Sequence, residues 1–150
     1  MAGSSGETKG VLMSQIETAR RTGAGARTAL QVTAALSTIE ILFQGATAGQ
    51  IFSGNGAAEG IHGAGAIAFH VLSALMTIAA AMLWRATRGS IWPTVISALV
   101  FLIGIVQAYL GDTGVLAVHV PLALALTLGT AWVLTWSFLG GRTIRTRHSA

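Results

Sequence analysis

The chain has 150 residues, enough for one domain, and 53% of them are hydrophobic while only 9% are charged. Because a soluble domain has about 25% charged residues, the composition predicts a membrane protein. The formal net charge is +4, but the basic residues lie only outside and between long apolar runs, so we expect no nucleic acid as a partner. There is no cysteine, which excludes disulfides and thiolate metal sites.

Residues 1–27 precede the first apolar run and predict a cytoplasmic tail. Residues 1–10 are mostly Gly, Ser and polar, which is typical of disorder. The next segment places Leu12, Ile16 and Ala19 on one helical face, which favours a short helix at the membrane interface; a longer disordered tail is the alternative. Basic residues followed by apolar and small ones also have the order of a signal peptide, but Glu40 interrupts the apolar stretch and favours a retained span.

Four apolar runs follow, each close to the length of about 20 residues that a spanning helix needs. Between them lie short breaks of glycine and polar residues, which are typical of turns. The runs predict an all-α fold, an integral membrane up-down four-helix bundle over residues 28–139, followed by a basic tail at 140–150. The four spans are 28–52, 57–84, 91–110 and 115–139.

The basic residues predict the orientation. All nine Lys and Arg residues fall before the first run, between the second and third, or after the fourth. An up-down path puts them on one side, which the positive-inside rule identifies as cytoplasmic, together with both termini. Trp84, Trp92 and Trp136 fall at the same interface. The abundance of Ala, Gly and Arg over Lys favours a bacterial inner (cytoplasmic) membrane.

The two helical hairpins resemble each other. Gln44 and Gln107 lie near the outer ends of the first and third runs, and His62 and His119 lie near the outer ends of the second and fourth. The pattern predicts two related hairpins and a bundle with pseudo-twofold symmetry. Chance similarity between Ala- and Leu-rich segments is the alternative.

His62 and His119 are candidate metal ligands. With helices that start near residues 57 and 114, both imidazoles lie about 8 Å below the outer surface, on helices that face each other diagonally. Bis-His ligation of a haem iron requires this arrangement, so we expect a b-type haem (haem b). The small residues 63–66 leave space for it, although such residues also allow plain close helix packing. Gln44 and Gln107 are candidates to hydrogen-bond a ligand or a propionate.

A second histidine in the same apolar run as His62, His70, is also a candidate haem ligand. The residues after His70 resemble those after His119, so His70 is an alternative to His62 as ligand. Glu40 lies at a similar depth, where a carboxylate is costly, and we expect it to hydrogen-bond His70. Such an intramembrane polar pair favours a different function, a cofactor-free accessory subunit or a small transporter.

Two groups of residues form a further pattern: Glu59 and His62, spaced Glu-x-x-His, and Gln107, Gly111, His119, Ala123 and Trp132. With these residues, the segment 29–139 resembles one four-helix half of the heme A synthase family, as well as small uncharacterised bacterial four-span membrane proteins. The resemblance implies haem ligands at His62 and His119 and puts Glu59 at the position of the family's functional glutamate. The chain departs from the family in having one half, Gly63 where an arginine is usual, and no cysteine.

These patterns favour a small cytochrome-like membrane protein that transfers electrons or handles haem. A six-coordinate iron leaves no position for a substrate, which argues against an enzyme. A haem-modifying oxidase of the heme A synthase type, acting as a dimer, remains a further alternative. The expected partners are the lipid bilayer, a second copy or a larger membrane complex, and a quinone or a redox protein.

Overall fold

The computed structural model describes residues 4–140, and this part of the chain forms α-helices and no strand. The all-α prediction is therefore confirmed. Residues 1–3 and 141–150, which include most of the predicted basic tail, lie outside the described residues. The four helices are α1 (Ser4–Phe52), α2 (Ala57–Thr87), α3 (Trp92–Asp112) and α4 (Leu116–Leu139).

The helices pack in a ring that follows the chain order. α1 packs against α2 and α4, and α3 packs against the same two helices. Each helix is joined to the next by four residues or fewer, so neighbours in sequence run antiparallel. Over residues 4–140 the diagonal pairs, α1 with α3 and α2 with α4, make no backbone contact. Side chains that meet across a diagonal therefore do so in the centre of the bundle.

Apolar side chains cover the surface of the bundle as well as filling much of its interior, which differs from a soluble bundle. Large apolar side chains such as Ile39, Ile67 and Leu128 are exposed along the helices. The bundle interior holds an apolar cluster around Leu30, Met76 and Val133, together with small or amide side chains that are buried. Buried hydroxyl and amide groups with an apolar surface are typical of helices packed within lipid. The buried polar residues are Ser37, Gln44, Thr47, Ser73, Ser97, Gln107, Thr130 and Ser137.

Three helices, α2, α3 and α4, are long and apolar enough to cross a membrane by length and composition. α3, with 21 residues, is about 31 Å long, which matches the hydrocarbon thickness of a bilayer. α1 is not among the three, although the apolar run at 28–52 predicts a span. Its apolar run is interrupted by Glu40, Gln31 and Gln44, which lower its hydropathy.

α1 begins much earlier than predicted. The sequence predicts disorder over residues 1–10 and a separate interfacial helix after them, whereas the described chain is one helix from Ser4 to Phe52. Good helix formers and an Arg21–Glu17 ion pair of 2.7 Å support this N-terminal part. Gly23 lies within this helix, at a close contact with α2: a Cβ there would lie 3.3 Å from Cγ2 of Thr87.

Arg27 joins α1 to the end of α4. Its Nη1 donates a hydrogen bond of 2.9 Å to the main-chain oxygen of Ser137, and its guanidinium lies 5.9 Å from the ring centre of Trp136. Ser137 belongs to the last turn of α4, where carbonyl groups lack partners within the helix and a positive charge is favourable. The contact therefore holds α1 against α4 at the end of the bundle where α4 ends.

Candidate paired-histidine site

His62 and His119 meet at the opposite end of the bundle, across a diagonal. His62 lies in the second turn of α2 and His119 in the first turn of α4. Their ring centres are 6.5 Å apart, and the ring planes are inclined by 52°. α2 and α4 run in the same direction, so equal depth in the two helices brings the rings together, as the positions of the two histidines predict.

His119 is held by α3. Its Nδ1 donates a hydrogen bond of 3.0 Å to the main-chain oxygen of Gln107, which can only accept. The Gln107 side chain donates in turn from Nε2 to the main-chain oxygen of His119, at 2.7 Å. Gly111 leaves room for the ring, because a Cβ there would lie 2.9 Å from Cε1 of His119. The proton of a neutral His119 is therefore on Nδ1, and the lone pair is on Nε2.

His62 is held by α1. Its Nδ1 lies 2.8 Å from Oγ1 of Thr47, a side chain that is only 6% exposed. With both Nδ1 atoms engaged, no hydrogen-bond partner of either Nε2 is found in the part of the chain that the structure describes. The two nitrogens left for a ligand are therefore one from each ring.

The spacing of the rings suits one metal ion between them. An imidazole nitrogen binds a first-row metal at about 2.0–2.1 Å, and two collinear bonds of this length set the ring centres about 6.3 Å apart. The observed 6.5 Å is close to this value. Within residues 4–140 no group of three or more His, Cys, Asp or Glu side chains converges on such a point. The remaining ligands of a metal held here would come from other groups, and a porphyrin would supply four of them.

The interior around the two rings is free of large apolar side chains. Over residues 42–68 and 104–125, Ala58 is the only buried apolar side chain. The apolar core lies further along the helices, from Phe69 and Leu126 onward. The other buried positions of these segments are amides, a hydroxyl and glycines, namely Gln44, Thr47, Gly65, Gly104 and Gln107. The two imidazole donors fit the axial ligation of a haem iron, and the residues buried around them are polar or small.

Gln44 does not contact His62 through its side chain. Its Nε2 donates a hydrogen bond of 3.0 Å to Oε1 of Glu40, one turn deeper on the same helix. Both side chains lie over Gly65 of α2, where a Cβ would overlap the Gln44 amide and lie 2.6 Å from Oε1 of Glu40. Gln107 differs, because its Oε1 is buried and has no hydrogen-bond partner. Gln107 is joined to the candidate ligand His119 by two hydrogen bonds: its Nε2 donates to the main-chain oxygen of His119, and its own main-chain oxygen accepts from Nδ1 of His119.

His70 is not brought to His119. It lies two turns deeper than His62, and its Nδ1 donates to the main-chain oxygen of Ala66 at 2.6 Å. Its ring faces α3, edge-on to Phe101 at 6.5 Å and beside Gly104. The expected hydrogen bond between His70 and Glu40 is also wrong, because the two side chains turn to different helices and Glu40 is bound to Gln44.

Glu59 lies one turn before His62, in the first turn of α2, and its side chain is exposed. A carboxylate is favourable there because the N-terminus of a helix carries partial positive charge.

Thr47 and Gly111 contact the histidine rings but are not among the site residues that the sequence predicts. Thr47 follows Gln44 by three residues on the same helical face, a spacing from which its contact was predictable.

A search of protein-family models, curated proteins and solved structures finds nothing similar to this chain. The class is therefore defined by the fold and the site alone. The described chain is an all-helical bundle, with three helices able to span a membrane and a paired-histidine site between two diagonal helices.

Proposed function

We propose that this chain is a small membrane cytochrome that binds one b-type haem through Nε2 of His62 and Nε2 of His119. The observation that carries the proposal is the pair of rings 6.5 Å apart, each with its Nδ1 bound to the protein and its Nε2 free. Metal-binding histidines usually have this hydrogen bond from the other ring nitrogen, which fixes the tautomer and the ring orientation. The same two ligands follow from the resemblance to heme A synthase.

Bound haem supplies a one-electron couple between ferric and ferrous iron. Two protein ligands complete the coordination of the iron, so the site favours electron transfer or haem handling over a reaction on a bound substrate. The protein holds both imidazoles from neighbouring helices, so little rearrangement is needed when the charge of the site changes. Lipid surrounds the helices, and a quinone or a redox protein at the His62 end exchanges the electron.

We further propose that α1 is a fourth span, although by composition alone it is the least apolar helix. Its polar side chains Gln44 and Thr47 are buried in the bundle, whereas Leu36, Ile39 and Leu42 are exposed. The surface that α1 presents to lipid is thus apolar, and its polar groups are satisfied or enclosed within the protein. The bundle then consists of two hairpins, α1–α2 and α3–α4, each of which contributes one histidine.

The proposed topology can be measured with fusions. Because Arg27, Arg85 and Arg88 lie at the end of the bundle away from the histidines, that end is expected to be cytoplasmic. Alkaline phosphatase fused after Asn55 or after Thr113 should be active, and the same enzyme fused after Arg88 should be inactive. Green fluorescent protein should give the opposite pattern. Activity after Arg88 would invert the orientation and place the histidines at the cytoplasmic side.

The absorption spectrum tests the proposed function. The protein is purified in detergent from cells supplied with a haem precursor, and the haem content is measured as the pyridine haemochrome. We expect one haem per chain and a narrow α band on reduction, which is typical of six-coordinate low-spin iron. A folded protein that is colourless and does not bind added haemin would overturn the proposal.

A further inference from the structure

We propose that Thr47 is the positioning residue for His62, that it holds the ring proton on Nδ1 and that it thereby sets the redox potential of the site. The inference rests on the proposed function, since it concerns how a haem ligand is held. It goes beyond that function because it assigns a role to the Thr47 hydroxyl, which is not itself a ligand. The carrying observation is the 2.8 Å contact between Oγ1 of Thr47 and Nδ1 of His62.

Proton counting gives the direction of this hydrogen bond. Oγ1 of Thr47 also lies 3.0 Å from the main-chain oxygen of Gln44 and 3.2 Å from that of Phe43. A hydroxyl has one proton, and carbonyl oxygens can only accept. All three contacts of Oγ1 are hydrogen bonds only if Thr47 donates to the main chain of its own helix and accepts from Nδ1 of His62, and we assign the bond in this direction. This leaves the lone pair of His62 on Nε2, the ring nitrogen that Thr47 does not contact.

The two histidines are held in different ways. The partner of His119 is the main-chain oxygen of Gln107, which no substitution removes. The partner of His62 is a side-chain hydroxyl that is 6% exposed, so water cannot easily replace it. In the matching position of the second hairpin, three residues after Gln107, the sequence has Leu110. Thr47 is therefore the side chain through which the properties of one ligand are adjusted without a change of ligand.

The effect of Thr47 on the iron has a predictable sign. A hydrogen bond from Nδ1 increases the basicity of an imidazole ligand, and a more basic ligand stabilises the ferric state. Removing the acceptor should therefore make the site easier to reduce. It should also loosen the ring orientation, and losing such a partner weakens metal binding by roughly 10–100-fold.

Two variants and a matched control separate this role from a packing role. Thr47→Val keeps the shape of the side chain and removes the acceptor, whereas Thr47→Ser keeps the hydroxyl. Thr38→Val removes a hydroxyl that is half-buried on the same helix and that bonds only the main chain, at 2.8 Å from the oxygen of Ala34. Each protein is purified without haem, titrated with haemin, and then poised in a redox titration. The tautomer of His62 is read in the haem-free protein by ¹⁵N NMR, with His62→Ala for assignment.

We expect Nδ1-protonated His62 in the wild type and in Thr47→Ser. Thr47→Val should lose this tautomer preference, bind haemin roughly 10–100-fold more weakly and have a higher midpoint potential, with Thr38→Val unchanged. An Nε2-protonated His62 in the wild type overturns the inference, and so does an unaltered potential in Thr47→Val. If Thr47→Val does not fold, the wild-type tautomer still decides. Failure of the wild type to bind haemin, with the tautomer as expected, overturns the proposed function instead.

Discussion

Replacing either His62 or His119 with alanine is expected to abolish the six-coordinate haem spectrum. Each ring contributes one Nε2, and no third imidazole lies between α2 and α4 in the described residues to take its place. The loss of affinity should exceed the roughly 100-fold that follows from removing a hydrogen-bond partner of a ligand, because a whole bond to the metal is lost. Haemin titration of the purified variants, followed at the Soret band, measures the effect.

His70→Ala is the matched control for these variants, since it removes a half-buried imidazole from the same helix as His62. It should retain the spectrum, because the His70 ring faces Phe101 and Gly104 and not His119. Added imidazole should restore a low-spin spectrum in His62→Ala and in His119→Ala, which would show that the rest of the haem site is intact. A His62→Ala protein with the wild-type spectrum would transfer the ligand role to His70.

The pairing of His62 with His119 could be predicted from the sequence, because it depends on the depth of each residue in its helix and on the helix face that it occupies. His62 and His119 each lie one or two turns inside a predicted helix, and two helices of equal direction bring such residues level. Hydrogen-bond partners depend instead on rotation and side-chain conformation. For this reason Gln44 was expected at the ligand, whereas the structure turns its amide to Glu40 and brings Thr47 to the ring.

The bounds of the helices were also predictable only in part: apolar runs indicate where three helices lie, but not where α1 begins. The three most apolar helices end within three residues of the predicted spans, since lipid length and turn residues limit them. The start of α1 could not be found in this way. Gly23 and Gly25 are typical of a linker, yet α1 passes through both, and Gly23 packs on Thr87 of α2. A glycine that permits close packing and one that ends a helix look alike in a single sequence.

The pairing of Glu40 with Gln44 also explains why the alternative of an intramembrane Glu40–His70 lock is not favoured. The Glu40 carboxyl accepts from the Gln44 amide at 3.0 Å and lies against the backbone of α2 at Gly65. A polar pair on one helix helps to fix the packing of the helix next to it. The pair lies between α1 and α2 one turn below the histidine rings, and Gly65 is the position that it faces on α2.

Gly65→Ala is expected to destabilise the bundle by about 1–3 kcal/mol, the usual cost of adding a methyl group to a filled interior. The new Cβ would overlap the Gln44 amide and lie 2.6 Å from Oε1 of Glu40, so the two side chains must move apart. A buried amide would then lose its acceptor, which costs about 1–3 kcal/mol where no water replaces it. Unfolding in mixed detergent, followed by circular dichroism, measures the difference in free energy.

Gly63→Ala is the matched control, because it lies two residues earlier on α2 and nothing is within 4 Å of the position of its Cβ. It should stabilise the helix by up to about 1 kcal/mol, since alanine is the better helix former. Combining Gly65→Ala with Gln44→Ala removes the overlap, so the double variant should lose less stability than the two single changes add up to. Additive effects would mean that the cost of Gly65→Ala does not arise from overlap with the Gln44 amide.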